Sequence, residues 1–372
     1  MASPSPQPAS QAAIVWVSKS TWEPAIRREH AFARLAARHG HDAWFLERQQ
    51  DIRALLSGER RGQWLRALAG RHRVERFEEV RVVPTAALVP GHRSRAAERS
   101  AVTLLRRDLR WVWRRSSPDA LVVGTPWLWP AASSIAGARR VLDVADDWRA
   151  LLPKRSAHMD ELYRRAGHEA DAVILVSDAL RELFPAEKVT VIPNGAGDDV
   201  LATPVTEPPR DRRMVYVGTL SPRFDAKLVA GVLDRLRDWS IDLWGSCQYP
   251  GLGDRPDAEL QRLLGTFRGR AAWHGVVPRE RVAAVIDAAD VALLPNRTDL
   301  TAGQDSMKAY DYAARGRPIV AATAGGPDQV AAAVVAAATE APALAAQRRA
   351  WAESQRWETR WPAWRAAVLG GG

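Results

Sequence analysis

Two successive series of short apolar runs, separated by longer stretches with helical spacing, organise this chain. The first series is Ile14–Ser18, Asp42–Leu46, Arg81–Pro84, Ala120–Gly124, Arg140–Val144, Ala172–Val176 and Val189–Ile192. Runs of this length, rich in Val, Ile and Leu, suit strands of a parallel sheet covered on both faces. Between the first two, Arg27–His39 carries Phe32, Leu35 and Ala36 at helical spacing and stops at Gly40, a strand–helix–strand opening. The second series is Met214–Gly218, Ile241–Trp244, Ala271–His274, Val291–Leu294 and Ile319–Ala322. Helices are expected near 226–239, 257–264, 279–288 and 306–315, and Ala-rich helical stretches run on to Val368. Ala202–Arg213, rich in Pro, Glu and Thr, reads as a linker. The pattern predicts an α/β chain of two doubly wound, Rossmann-like domains facing across a cleft, over residues 14–205 and 206–354. Residues 1–13, rich in Ser, Pro, Ala and Gln, are expected to be a disordered leader.

The length of 372 residues agrees with two cores rather than one. A single cysteine, Cys247, excludes an internal disulfide framework and a multi-cysteine zinc site and suits a reducing cytoplasm. No apolar run approaches the roughly 18–20 residues of a membrane span. The expectation is a cytoplasmic protein, with attachment to the inner face of the membrane as a further option.

Charge supplies the reason for that option. The formal net charge is +10, and much of the excess falls between Arg53 and Arg115. Within it, Val102, Leu105, Leu109, Val112 and Trp113 fall toward one side of a helix with arginines around them. Two readings stand side by side: an interfacial helix on anionic lipid, or a solvated Arg-rich helix packed on its own domain. Nucleic acid is not expected as a partner, because no recognised binding motif accompanies the charge.

The most informative segment is Asp305–Pro318. A helix expected to open near Asp305–Ser306 directly after a strand aims unpaired N–H groups at the strand's carboxyl end, where a phosphate can sit. The Ser306 and Met307 N–H groups and Lys308 would hold that phosphate, and Asp311, a turn later, would reach a ribose hydroxyl. Asp146, at the end of the strand Arg140–Val144, is the candidate general base, with Asp147 as the alternative; one of the pair caps the next helix.

Several pieces of this sequence resemble GT-B glycosyltransferases. Lys308-Ala309-Tyr310-Asp311-Tyr312-Ala313-Ala314-Arg315-Gly316-Arg317-Pro318-Ile319-Val320 is similar to their Lys-Leu-Tyr-Glu-Tyr-Leu-Ala-Ala-Gly-Lys-Pro-Val-Val signature. Val191-Ile192-Pro193-Asn194-Gly195, Val215–Pro222, Trp273–Val276 and Trp357–Arg360 follow the family's order. The closest branch is the family 4-like group that includes teichuronic-acid-type enzymes and resembles xanthan glucuronosyltransferase.

The resemblance implies transfer of a sugar from a nucleotide-diphosphate donor, UDP-linked by preference, to a hydroxyl acceptor in cell-envelope polysaccharide, glycolipid or secondary-metabolite assembly. It implies no cofactor beyond that co-substrate and no metal. It also implies a last helix, 355–372, that returns to the N-terminal domain. Gly218 and Arg223 would meet the diphosphate, and Gly275 and Val276 the nucleobase. Asn194 and Gly195 would line the acceptor side. Trp22, Arg28 and His30, near the first loop, are acceptor candidates too, with core packing and helix capping as the alternative. The chain departs from the pattern where Gly303 and Asp311 replace the first and second of two glutamates, the one at Gly303 associated with retaining members; inversion is therefore expected. A UDP-sugar 2-epimerase and a non-catalytic nucleotide-sugar-binding protein are the rival readings.

Overall fold

The computed structural model describes residues 12–23, 26–56, 58–249, 252–301 and 303–371. The leader expectation falls mainly on residues 1–11, outside the described residues; Ala13 already opens the first strand. Contacts divide the chain into two units, residues 1–192 with 361–372, and residues 193–360.

The first unit holds eight strands: β1 Ala13–Val17, β2 Asp42–Leu46, β3 Glu75–Phe77, β4 Val80–Val83, β5 Ala120–Val123, β6 Arg139–Val144, β7 Ala172–Leu175 and β8 Val189–Val191. Their order is β3-β4-β2-β1-β5-β6-β7-β8, parallel except for β3, which pairs antiparallel with β4. Strand order reverses between β1 and β5, which places a topological switch point at their carboxyl ends. The hydrophobic pattern predicts every strand of this sheet but β3. That strand is a short polar edge piece closed by Glu78 and Glu79, both left-handed (φ 47° and 66°). The helix from Trp357 to Leu369 enters this unit at Trp361. Its Trp364 is fully buried and stacks on Phe32 (4.7 Å) and Trp16 (5.5 Å), so the C-terminus does return to the N-terminal sheet.

The second unit is a five-stranded parallel sheet: β9 Arg213–Val217, β10 Ser240–Trp244, β11 Ala271–Trp273, β12 Val291–Leu294 and β13 Ile319–Ala321, ordered β11-β10-β9-β12-β13. Its switch point lies between β9 and β12. The contact boundary at 192/193 stands upstream of the linker proposed from composition. Buried Arg315 explains the difference: it donates to the carbonyls of Val200 (2.9 Å), Thr203 (2.6 Å) and Pro204 (2.7 Å) while pairing with Asp287. Asp290 accepts from the N–H groups of Arg210 and Arg213 (2.7 and 2.9 Å). The segment is strapped to the second unit rather than loose.

The basic helix runs from Arg95 to Ser116, with the Ser94 hydroxyl accepting from Ala97 N–H (3.1 Å). Val102, Leu105, Leu109 and Val112 are buried in the first unit's core, and Trp113 packs against it. The apolar stripe is already covered, so the interfacial-helix reading is corrected in favour of an Arg-rich helix packed on its own domain. No single helix among the described residues is long and apolar enough to cross a membrane. The helices Pro327–Ala338 and Pro342–Ser354 pass together on composition, but they are bent by 99° and bury Val330, Val334 and Ala352.

Candidate functional site

The second unit gathers the donor candidates at its switch point. Gly218 follows β9 and donates its N–H to Trp244 O (2.8 Å). A Cβ at Gly218 would collide with the Lys308 side chain, and one at Gly245 would collide with the Gly218 backbone. The absence of side chains at both positions is what lets Lys308 lie over the end of β9, with its ammonium 5.4 Å from the Tyr216 ring centroid. Tyr312 fixes the relation from the other side: its buried hydroxyl accepts from Val217 N–H (2.8 Å), tying the lysine's own helix to β9.

That helix spans Met307–Ala314, with Ser306 at its N-cap and Gly316 left-handed (φ 67°) beyond its end, as the sequence predicts. The Ser306 hydroxyl does not cap the helix and has no hydrogen-bond partner among the described residues. Uncapped N–H groups at Ser306 and Met307 with an ammonium beside them form an anion-binding arrangement. Arg223 is half-buried in the loop after β9, and its carbonyl accepts from Arg297 N–H (2.8 Å).

Asp311 is engaged differently from the expectation. Its carboxylate accepts from Arg279 (3.0 and 3.4 Å), which also bridges to Asp199 (2.5 and 2.9 Å). Burial raises the Asp311 pKa against the lowering effect of Arg279. The carboxylate keeps lone pairs for a further donor such as a ribose hydroxyl, but its first partner is a protein arginine. Gly275 is left-handed (φ 74°), and Gly245 N–H donates to its carbonyl (2.6 Å). Val276 beside it is 53% exposed. Trp244 stacks on His274 at 4.3 Å, and His274 Nε2 meets Asp242 Oδ1 at 2.6 Å. A half-exposed ring stack thus flanks the glycine turn.

Asn194 and Gly195 belong to this second unit, not to the N-terminal one where the acceptor reading had placed them. Asn194 is buried; its Nδ2 donates to Asp305 O and its N–H to Asp305 Oδ2, both at 2.6 Å. A Cβ at Gly195 would stand 2.9 Å from Trp357 N. Both residues lock the turn against neighbouring backbone.

In the first unit, a crevice opens at the switch point between β1 and β5, lined among others by Ser18, Lys19, Arg28, Glu29, Gly124 and Asp143. Lys19 makes an ion pair with Asp146, each with about one-sixth of its side chain exposed (15% and 16%). Asp147 is the capping member of the pair: its Oδ1 accepts from Arg149 N–H (2.9 Å), and its carboxylate is held by the Arg149 guanidinium. Asp146 reaches the crevice through its pairing with Lys19, and its carbonyl is fixed by Tyr163 OH (2.7 Å). Glu29 stands behind Lys19. Burial pushes its pKa up, but the Lys19 charge, His30 and the Ser20 hydroxyl (2.6 Å) outweigh that and hold it at about 2.

Trp22, Arg28 and His30 prove to be packed residues, which corrects their assignment to acceptor contact. Trp22 is 3% exposed and lies edge-on to Phe45 and His30. His30 has no exposed surface, and its Nδ1 accepts from Arg27 N–H (2.9 Å) at the helix start. Arg28 borders the crevice but is 3% exposed and holds both Asp143 oxygens (2.9 and 3.1 Å) and Ile192 O (2.8 Å). The sequence reading missed Lys19, Glu29 and Arg279. The Ser-Lys-Ser loop after β1 is the signal for the first, since it too follows a strand at a switch point.

Burial lowers the His30 pKa to about 4, with Arg34 and Arg27 adding to the effect against Glu29. In the unfolded chain it would be about 6.5. Between those values only the unfolded state takes up the proton. Stability is therefore full above about pH 6.5 and falls by roughly 3 kcal/mol as the pH drops to 4. Glu29 continues the loss below its unfolded value. Melting temperatures across this window should decline, and His30→Asn, which keeps an acceptor for Arg27 N–H, should flatten the decline between pH 6.5 and 4. An unchanged profile would show that His30 is not the titrating group.

Among the described residues no group of three His, Cys, Asp or Glu is placed to hold a metal ion. Residues 211–353 match the family described as Glycosyl transferases group 1. Among solved structures the chain is similar to sucrose-phosphate synthase from Thermosynechococcus elongatus, at 15% identity, TM-score 0.70, covering 95% of this chain and 97% of that one. It is also similar to Anabaena HepE in complex with UDP-glucose, at 15% identity, TM-score 0.64, covering 95% and 98%. A third is a UDP-forming α,α-trehalose-phosphate synthase from Burkholderia xenovorans, at 14% identity, TM-score 0.62, covering 96% and 98%. A comparison with curated proteins found no match. At these identities the solved structures speak for the fold, which is GT-B, with two Rossmann-like units. With residues 211–353 matching the group 1 glycosyl transferase description on a chain of that fold, the coarse assignment is a glycosyltransferase.

Proposed function

We propose that this glycosyltransferase moves a sugar from a UDP-sugar to a hydroxyl of a glycan, lipid-linked or secondary-metabolite acceptor, as a family 4-like member of the teichuronic-acid type. The observation that carries the donor half is Lys308 lying over Gly218 beside an uncapped helix start. A diphosphate bound there would be neutralised by the ammonium and the helix N–H groups, without a divalent cation. UDP is favoured over other nucleotides because one similar structure was solved with UDP-glucose and another is named as UDP-forming.

Asp146 is the base in this reading. It takes the acceptor's hydroxyl proton as the new glycosidic bond forms, and its pairing with the Lys19 ammonium holds the carboxylate in place. With Gly303 in place of the glutamate of retaining relatives, the reaction is a single displacement with inversion. Incubating the enzyme with UDP-sugars and a panel of alcohol acceptors, followed by proton NMR, tests this. UDP and a product of inverted anomeric configuration are expected. A retained anomer would remove the single displacement and the role of Asp146. An isomerised UDP-sugar without transfer would favour the epimerase reading.

A further inference from the structure

One corner of the first unit's surface belongs neither to the core nor to the crevice. A short 3-10 helix, Ile52–Leu56, the helix Gly58–Leu68 and the loop after β4 pack on one another there. Ile52 N–H donates to Leu88 O (3.2 Å) and Trp64 Nε1 to Ala87 O (3.1 Å). Ala54, Trp64, Ala67 and Ala86 form a small core of their own. What that core leaves outside is apolar. Leu56 is 91% exposed, Ile52 51%, Leu88 48%, Leu65 46%, and Leu55 and Val89 37% each. Six of the eleven large apolar side chains found exposed among the described residues fall in this one corner, which singly scattered surface leucines would not produce.

The charge around them selects the partner. Residues 51–73 contain six arginines against two carboxylates, and one of those, Asp51, is taken by Arg53 (2.6 Å). Arg60, Arg61 and Arg66 are exposed on the Gly58–Leu68 helix. Exposed leucines and exposed arginines on the same short segment suit an anionic bilayer, which offers acyl chains to the one and phosphates to the other. A second copy would bring like charge to like charge, and a nucleic acid offers nothing to Leu56. The corner follows the carboxyl ends of β2 and β4, the same edge of the parallel sheet that carries Lys19 after β1 and Asp146 after β6.

We propose that this corner docks the N-terminal unit onto an anionic membrane and so brings lipid-linked acceptors to the edge that holds Asp146. The second clause rests on the glycosyl-transfer reading above; the docking itself does not. The surface is distinct from the basic helix Arg95–Ser116, whose apolar stripe is buried.

Sedimentation with phosphatidylcholine vesicles, with and without phosphatidylglycerol, tests the docking. The full chain should be retained by the anionic vesicles at low salt, released as ionic strength rises, and left in solution by neutral ones. Leu55→Asp with Leu56→Asp, and separately Arg60→Glu with Arg61→Glu, should each lower retention on the order of ten-fold. All four positions are exposed, so the melting temperature and UDP binding should not move. Wild-type protein remaining in solution with anionic vesicles, or either double variant binding as wild type, overturns the proposal. So does a solution dimer that dissociates in the leucine variant, which would assign the face to a second copy. Loss of UDP binding with vesicle retention intact would instead sink the donor reading alone.

Discussion

Asp146→Asn should lower kcat by on the order of 10²–10⁴ while leaving UDP affinity unchanged. The size follows from what a positioned base contributes to proton transfer in the transition state. The carboxamide has nearly the shape of the carboxylate and still offers Lys19 an acceptor, so the contact with the ammonium survives. The backbone is fixed independently by Tyr163. What the variant lacks is a site for the acceptor's proton. A merely structural Asp146 would show its loss in melting temperature rather than in turnover. An unchanged kcat with a lowered melting temperature would therefore remove Asp146 from the chemistry.

Lys308→Ala should reduce kcat/KM by roughly 10²–10³, about 2.7–4 kcal/mol of transition-state stabilisation. Charge on the departing diphosphate grows as the glycosidic bond breaks, and the ammonium over Gly218 is a formal positive charge set at that edge. Its side chain is half-buried and its helix is anchored separately by Tyr312. Loss of the lysine should therefore reach turnover far more than folding. Equal turnover in the variant would place the leaving group elsewhere.

Much of this architecture is legible in the order of the residues. Both parallel sheets follow from runs such as Val215–Val217 and Val291–Leu294, because strands covered on both faces leave no room for polar positions. The helix Met307–Ala314 and its left-handed Gly316 follow from local conformational preference, which acts within a few residues. β3 escapes because an exposed edge strand carries no buried period.

The rest depends on contacts distant in sequence. Arg315 reads as a solvated charge until its acceptors, more than a hundred residues upstream, are known, and those contacts move the unit boundary. Arg28 and His30 follow the first loop, yet the helix that begins there turns them inward, one onto Asp143 and the other between Trp22 and Phe45. Asp311 retains its place beside the donor candidates, but its pairing with Arg279 is a matter of packing that spacing does not reveal. Which member of the Asp146–Asp147 pair caps the helix is likewise a matter of packing: Asp147 turns to Arg149 N–H, and Asp146 turns to Lys19.

In the proposed reaction the second unit binds a uridine diphosphate at the end of β9, under Lys308. Calorimetric titration of UDP into the wild-type chain and into Lys308→Ala tests it most directly. One site per chain is expected in the wild type, with affinity for UDP above that for GDP or dTDP, and a loss of at least about ten-fold in the variant. Absence of nucleotide binding by the wild type, or equal affinity in both proteins, would rule out a donor site under Lys308.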